Sequence, residues 1–286
     1  MPEAPDLVVI REYLLPRLVG DVISSATELK PLVLRNMVGS GAGTELEFKA
    51  DIADRRVVSL ERRGKLLIVG LSGDREIVIS PMLTGGLIWC DASARIAPST
   101  VLIFEMKSGM HLRYFDQKKM GQVYYLSTSQ RSDIVRLENQ GPDVIDEPLS
   151  FGDFKLGLKP FRGEVKGVLT RGRLVSGIGN AYADEILHEA KIYPFKKVTR
   201  LSVDELASLH RAVYSVPAKA VGVLRERVGD KIHRKVRDFL KVHGKKNEPC
   251  PRCGNRITAI TTIDGKRTTA GAVNLVLCST SNKVNE

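Results

Sequence analysis

No uninterrupted apolar stretch of roughly twenty residues occurs in this chain of 286 residues, so a membrane-spanning helix is not expected. The amino terminus also lacks a basic segment followed by a hydrophobic one, the pattern of a secretory signal. Cysteine is scarce. There are four, two of them in Cys250-Pro251-Arg252-Cys253, a usage that fits a reducing compartment and a metal site better than a disulfide framework. A cytoplasmic location follows as an expectation. No internal repeat or low-complexity segment is present. Acidic residues are in deficit, 33 against 44 Lys and Arg, giving a formal charge of +11 and a pI near 9.5. That balance favours a polyanionic partner such as nucleic acid. It is equally compatible with a ribosome-associated or membrane-surface protein, or with no polyanion at all.

What is present suffices for a sizeable core: 43% of residues are hydrophobic, and the length suits one large or two modest domains. The composition changes near residue 150. Before it, Leu7 to Leu18 reads as an amphipathic helix. Short β-rich runs follow at Thr44 to Ile52, Arg56 to Glu61, Leu66 to Leu71, Glu76 to Ile79 and Leu87 to Cys90. Gly, Asp and Ser punctuate them, as in an antiparallel sandwich. Beyond Gly141-Pro142 the pattern is helical at Asp146 to Lys159, Lys166 to Arg173, Asn180 to Ala190 and Val203 to Val216. The last opens with Ser202 and Glu205 at capping-box spacing and is expected to stop at Pro217. A basic stretch, Lys231 to Lys246, precedes the Cys-x-x-Cys and a short β-rich tail.

The amino terminus carries a chemistry of its own. Removal of Met1 before a small residue leaves Pro2 with a secondary amine. An α-amino group titrates nearer neutrality than lysine and is the better nucleophile at physiological pH. Attack on a sugar C1′ gives an iminium that can lose phosphate by β-elimination. Glu3, next in the chain, is suited to move the protons. Taken alone, a proline at position 2 is common and weak evidence.

Met1-Pro2-Glu3-Ala4-Pro5-Asp6 resembles the start of the formamidopyrimidine-DNA glycosylase and endonuclease VIII family. Gly177-Ile178-Gly179-Asn180-Ala181-Tyr182-Ala183-Asp184-Glu185, preceded by Lys166, is similar to that family's helix-two-turn-helix segment. Arg62-Arg63-Gly64-Lys65 matches its strand-borne lysine motif, and Glu248 to Gly254 the opening of its zinc finger. The matches occur in family order and span nearly the whole chain. The resemblance implies Pro2 as Schiff-base nucleophile, Glu3 as general acid/base and Lys65 as a catalytic residue at the phosphate beside the lesion. It implies DNA contacts from Lys166 and Asn180.

Four stretches depart from the family pattern, one of them Leu169-Thr170-Arg171-Gly172, which stands where an acidic-Gln pair is common and whose extra positive charge either contacts the DNA backbone or is solvated. Ser80-Pro81-Met82-Leu83-Thr84-Gly85 puts Leu83 where a methionine usually fills the space left by an everted base. Asp116-Gln117-Lys118-Lys119-Met120-Gly121 puts Lys119 and Met120 where an arginine and an aromatic ring support the partner base. Lysine lacks the planar fork of arginine, so opposite-base discrimination should be weaker or different. Met120 remains able to intercalate through its adaptable thioether. In the tail, Ser281 stands where a fourth cysteine would close the finger, leaving Cys250, Cys253 and Cys278 with His243 as a candidate fourth ligand. The alternative is a zincless hairpin presenting Lys266 or Arg267 to DNA.

The fold expected is α+β: an N-terminal β-sandwich flanked by helices, then a C-terminal helical helix-two-turn-helix domain with a zinc-finger-like β-hairpin. The boundaries expected are 1–130 for the catalytic domain, 131–145 for a linker, 146–246 for the DNA-binding helices and 247–286 for the tail. The function implied is a bifunctional DNA glycosylase/AP lyase of base excision repair. It would act as a monomer on damaged or abasic DNA bound between the domains, with no organic cofactor and with a structural zinc left open. A damage-binding protein that has lost efficient base removal, motivated by Leu83, Lys119 and Met120, is the alternative; an RNA-binding factor is a third. The damaged base is not legible, although Pro217 to Arg234 is where its selection is expected.

Overall fold

The computed structural model describes residues 1–38, 45–262 and 273–277. The chain divides into two compact units, Met1–Asn139 with Val221–Val236, and Gln140–Ala220 with Arg237–Glu286. The architecture is mixed α+β, as the sequence leads one to expect.

The first unit opens with α1 (Ala4–Leu18), which is set by a reciprocal cap. Glu3 takes the N-cap position and its side chain accepts the Asp6 N–H, while the Asp6 carboxylate accepts the Glu3 N–H at 2.8 Å. Two orphan donors of the first turn are thereby satisfied. Pro5 lies where no intrahelical N–H is needed. The chain continues through β1 (Ile23–Glu28), β2 (Leu34–Asn36), α2 (Glu45–Ile52), β3 (Val57–Arg63), β4 (Leu66–Leu71), β5 (Arg75–Ser80) and β6 (Gly85–Asp91). It then runs through β7 (Thr100–Met106), β8 (Met110–Asp116), β9 (Gln122–Ser127) and the short α3 (Val135–Glu138). Two sheets result, ordered β1-β7-β8-β6 and β2-β9-β5-β4-β3, antiparallel except for the β2/β9 pair. Every residue of β4 is buried, so both its faces are covered; α1 packs against β3 and β4.

The stretch expected as a first strand, Thr44 to Ile52, forms α2 instead, with Thr44 outside the described residues. Its alternating apolar residues mislead: Phe48 and Ile52, four apart, are buried, whereas Leu46 is 78% exposed. Helical period therefore wins over strand period. Phe48 stands edge-on to Tyr125.

The second unit holds α4 (Phe151–Leu158), α5 (Val165–Thr170), α6 (Asn180–Ala190), most of α7 (Val203–Val228), and a hairpin of β10 (Thr258–Thr262) with β11 (Val273–Leu277). α4 begins later than Asp146, because Ser150 caps it by accepting the Asp153 N–H. α7 does not stop at Pro217 but continues to Val228. A helical proline costs about 3 kcal/mol. The buried stripe of Val213, Ala220, Val221, Leu224 and Val228 on either side of it offsets that cost.

α2 is anchored at its last turn by Asp51. Burial works against its charge, but hydrogen bonds from Arg75 Nε (2.8 Å), the Tyr125 hydroxyl (2.6 Å) and Arg55 Nη2 (2.7 Å) outweigh it and hold the carboxyl down at about 2. A depressed folded-state value stabilises the fold above the unfolded carboxyl's pKa and is lost as pH falls through the folded one. Asp51→Asn should therefore lower stability by about 2 kcal/mol at pH 7. Denaturant melts at successive pH values should show the gap from wild type closing between pH 4 and 2; a constant gap would assign the loss to packing.

Candidate active site

Pro2 is buried at the head of α1, immediately before its cap. It lines a cleft of about 370 Å³, open to solvent, together with Asp6 and Ile10 of α1 and Gly85 and Gly86 of β6. The rest of the lining comes from the last residue of α7, Val228, and the segment after it: Ile232, His233, Arg234 and Lys235. Glu3 is 2% exposed. The cleft thus brings Pro2, the Asp6 side chain and a basic segment together, with Glu3 buried next to Pro2 in the chain. The positive end of the α1 dipole points the same way, which favours an anion such as phosphate there. Burial and the Arg234 charge lower the pKa of His233, favouring its neutral form. Only the last part of Pro217 to Arg234, the stretch expected to select the base, reaches this cleft, since residues up to Val228 are helical.

Lys65 lies half-buried in the tight turn between β3 and β4, where the buried Arg62 donates to the Gly64 carbonyl at 3.0 Å. Leu83 is 39% exposed and Lys119 is exposed, with Met120 half-buried beside it. Both loops contain a left-handed residue, Met82 at φ +50° and Lys119 at φ +51°.

In the second unit, α5, a glycine-rich turn and α6 form the helix-two-turn-helix element. Gly179 caps α6; Asn180 is its first residue and is exposed. Lys166, expected at the DNA, is buried: its ammonium is 2.6 Å from Asp184 Oδ1, with side-chain exposures of 2% and 0%. A buried ammonium is held by its counter-charge rather than offered to a phosphate. Asp184 Oδ2 also faces His243 Nδ1 at 2.7 Å. Its neighbour Glu185 accepts the backbone N–H groups of Lys241, Val242 and His243, each at 2.9 Å. These two acids tie the basic stretch to α6, a role that sequence reasoning missed. Two carboxylates on the buried face of a helix were the available signal.

The Cys-x-x-Cys forms a knuckle. Cys250 N–H donates to the Asn255 carbonyl, Gly254 N–H to the Cys250 carbonyl, and Arg252 N–H to Cys250 Sγ at 3.4 Å. His243, the expected fourth ligand, is engaged by Asp184. The imidazole beside the thiol is His188, with Nε2 3.6 Å from Cys250 Sγ. Burial, with Arg252 and Lys241 nearby, pushes His188 down to about 4. Among the described residues no three His, Cys, Asp or Glu side chains converge on a metal position. Cys278, Lys266 and Arg267 lie outside the described residues. Cys90 is half-buried in β6. No helix among the described residues is long and apolar enough to cross a membrane.

Replacing Lys166 by methionine should cost roughly 3 kcal/mol, since it strands a buried carboxylate. The salt dependence of DNA binding by the folded protein should not change. A fall of about one in the slope of log K against log salt would instead mean that Lys166 touches phosphate.

The sequence profile of the formamidopyrimidine-DNA glycosylase N-terminal domain matches residues 1–123, and that of its H2TH domain matches residues 140–232. The formamidopyrimidine-DNA glycosylase of Desulforamulus reducens is 32% identical over 271 residues, covering 91% of this chain and 94% of the relative. That of Corynebacterium glutamicum strain R is 33% identical over 271 residues, covering 90% and 93%. Among solved structures, the wild-type Lactococcus lactis Fpg bound to DNA containing an oxidized pyrimidine superposes with a TM-score of 0.84 at 25% identity, covering 99% of this chain and 100% of that one.

Proposed function

Because this chain belongs to the formamidopyrimidine-DNA glycosylase family and is a DNA glycosylase with AP lyase activity in base excision repair, we propose that Pro2 is its nucleophile. With Met1 removed, the Pro2 amine attacks C1′ of the damaged nucleotide. The N-glycosidic bond breaks, and its electron pair leaves with the base, which takes up a proton. The sugar ring opens to an iminium on Pro2. Loss of a C2′ proton then expels the 3′ phosphate with the electron pair of the C3′–O bond, which nicks the strand. Glu3 moves the protons of ring opening and base departure. The observation that carries this reading is the cleft that Pro2 lines, with Glu3 buried next to it in the chain as the cap that holds α1.

Lys65 contacts the phosphate beside the lesion and Asn180 a phosphate on the same strand, both from positions that are not fully buried. Leu83 fills the space left by the everted base, and Lys119 with Met120 supports its partner. The substrate is an oxidised base in DNA, either a purine or a pyrimidine. The lactococcal relative bound to oxidized-pyrimidine DNA supports that class. A cytoplasmic location, at the nucleoid in a prokaryote, follows from that substrate, and the chain acts as a monomer.

Borohydride trapping on an abasic-site oligonucleotide tests the nucleophile. The wild type should give a covalent adduct that Pro2→Gly largely loses. Glu3→Gln should slow base release by about 10²- to 10⁴-fold. Measurable DNA binding with no adduct, from a chain whose Met1 is removed, would leave only a damage-binding scaffold.

We further infer that the knuckle holds one structural zinc. Cys250 and Cys253 fit a soft cation, and the amide-to-sulfur bond at Cys250 is of the kind that stabilises a thiolate. Cys278 would supply a third donor, and His188 rather than His243 is the nearby imidazole. Bound there, zinc would fix the fold of the tail. Elemental analysis should find one zinc per chain, removed by Cys250→Ser with a lower Tm; a zinc-free chain indifferent to chelator would make the hairpin zincless.

A further inference from the structure

Leu83 and the Lys119-Met120 pair belong to separate loops, yet both loops leave the sheet at one corner, because Gly85 of β6 pairs with Asp116 of β8. Asp116 is 2% exposed, and its carboxylate faces both loops. Oδ1 accepts the Thr84 hydroxyl and the Lys118 N–H, the latter at 3.2 Å. Oδ2 accepts the Gly121 N–H at 2.7 Å. Thr84 Oγ1 also accepts the Lys118 N–H at 3.0 Å, which links one loop directly to the other.

The aromatic ring beneath completes the corner. A Cβ added at Gly85 would lie 2.1 Å from the Tyr114 hydroxyl oxygen, and one at Gly121 only 1.8 Å. Both loops therefore close onto one buried ring, and any larger residue at either position must displace it. Pro81 accepts the Gly85 N–H at 2.9 Å, closing the Leu83 turn, and Lys235 Nζ donates to the Leu83 carbonyl at 2.8 Å. The second bond joins the Leu83 turn to the basic wall of the Pro2 cleft.

We propose that Asp116 is a positioning residue that locks the two DNA-entering loops into one rigid block, so that filling the everted base's space and supporting its partner occur together. It touches neither substrate nor reacting atoms. This rests on the reading that Leu83, Lys119 and Met120 enter the duplex. The physical basis is that a buried carboxylate accepting three donors fixes its partners far more tightly than exposed loops fix themselves. Asparagine in its place keeps the shape but turns one oxygen into a donor, which cannot accept an N–H or O–H.

The test compares two substrates with full-length protein: single-turnover base release from a lesion in duplex DNA, and borohydride trapping on a single-stranded abasic oligonucleotide. The second needs no eversion from a helix. Asp116→Asn and Thr84→Val should slow duplex base release by about tenfold, and should slow 2-aminopurine eversion signals in parallel. Trapping on the single strand should stay within about twofold of wild type. Asp116→Asn combined with Leu83→Ala should lose less than the product of the two single effects, since both act on one step. Equal losses on both substrates, or full duplex activity in Asp116→Asn, would overturn the proposal. If Leu83→Ala and Met120→Ala leave duplex base release intact, the intercalation reading fails and takes this inference with it. If they slow it while Asp116→Asn does not, only the clamp fails.

Discussion

A chain terminus is ordinarily the least ordered part of a fold, so the nucleophile proposed at residue 2 is usable only if the first turn behind it is held rigidly. The reciprocal hydrogen bonds between Glu3 and Asp6 impose that constraint. They start α1 at Ala4, and α1 in turn rests on the fully buried strand β4 and its partner β3. Arg11 adds a bond from its Nε to the Leu60 carbonyl at 2.9 Å. The placement of Pro2 is thus inherited from the sheet. Glu3 holds the helix start with the same side chain that the proposed chemistry would use, so its substitution would perturb both.

The second unit relies on a different device. Lys166, Asp184, Glu185 and His243 come from α5, α6 and the end of the basic stretch, and their bonds replace the regular structure that residues 237–246 lack. Each buried charge is matched or multiply hydrogen-bonded, the condition under which burial is tolerable. The exposed Asn180, one turn from Asp184 on the same helix, is held by that network without belonging to it.

Much of the architecture was legible in local pattern. Leu66–Leu71 and Asn180–Ala190 lie where apolar content and motif place them. The amino-terminal motif, being contiguous, could be read directly. Misreadings arose where long-range burial decides. Phe48 and Ile52 turn Glu45–Ile52 helical only because both find a core, and α7 passes through Pro217 because its stripe stays covered. Lys166 reads as a free cation until Asp184, eighteen residues away, is folded against it. His243 reads as a ligand until the same carboxylate claims it. The role of Asp116 was hidden, since Gly121 is its loop neighbour but Thr84, thirty-two residues away, meets it only through the pairing of β6 with β8.

The corner built on Asp116 holds its two loops through backbone N–H groups and the Thr84 hydroxyl, and through no atom of the Leu83, Lys119 or Met120 side chains. Scaffold and tip are thereby separable under selection. Point changes at residues 83 and 120, and changes at the left-handed Lys119 that tolerate its backbone, can accumulate one at a time without altering the path of the chain. If these side chains enter the duplex as proposed, lineages are free to drift in which orphaned base they tolerate while their folding stays untouched.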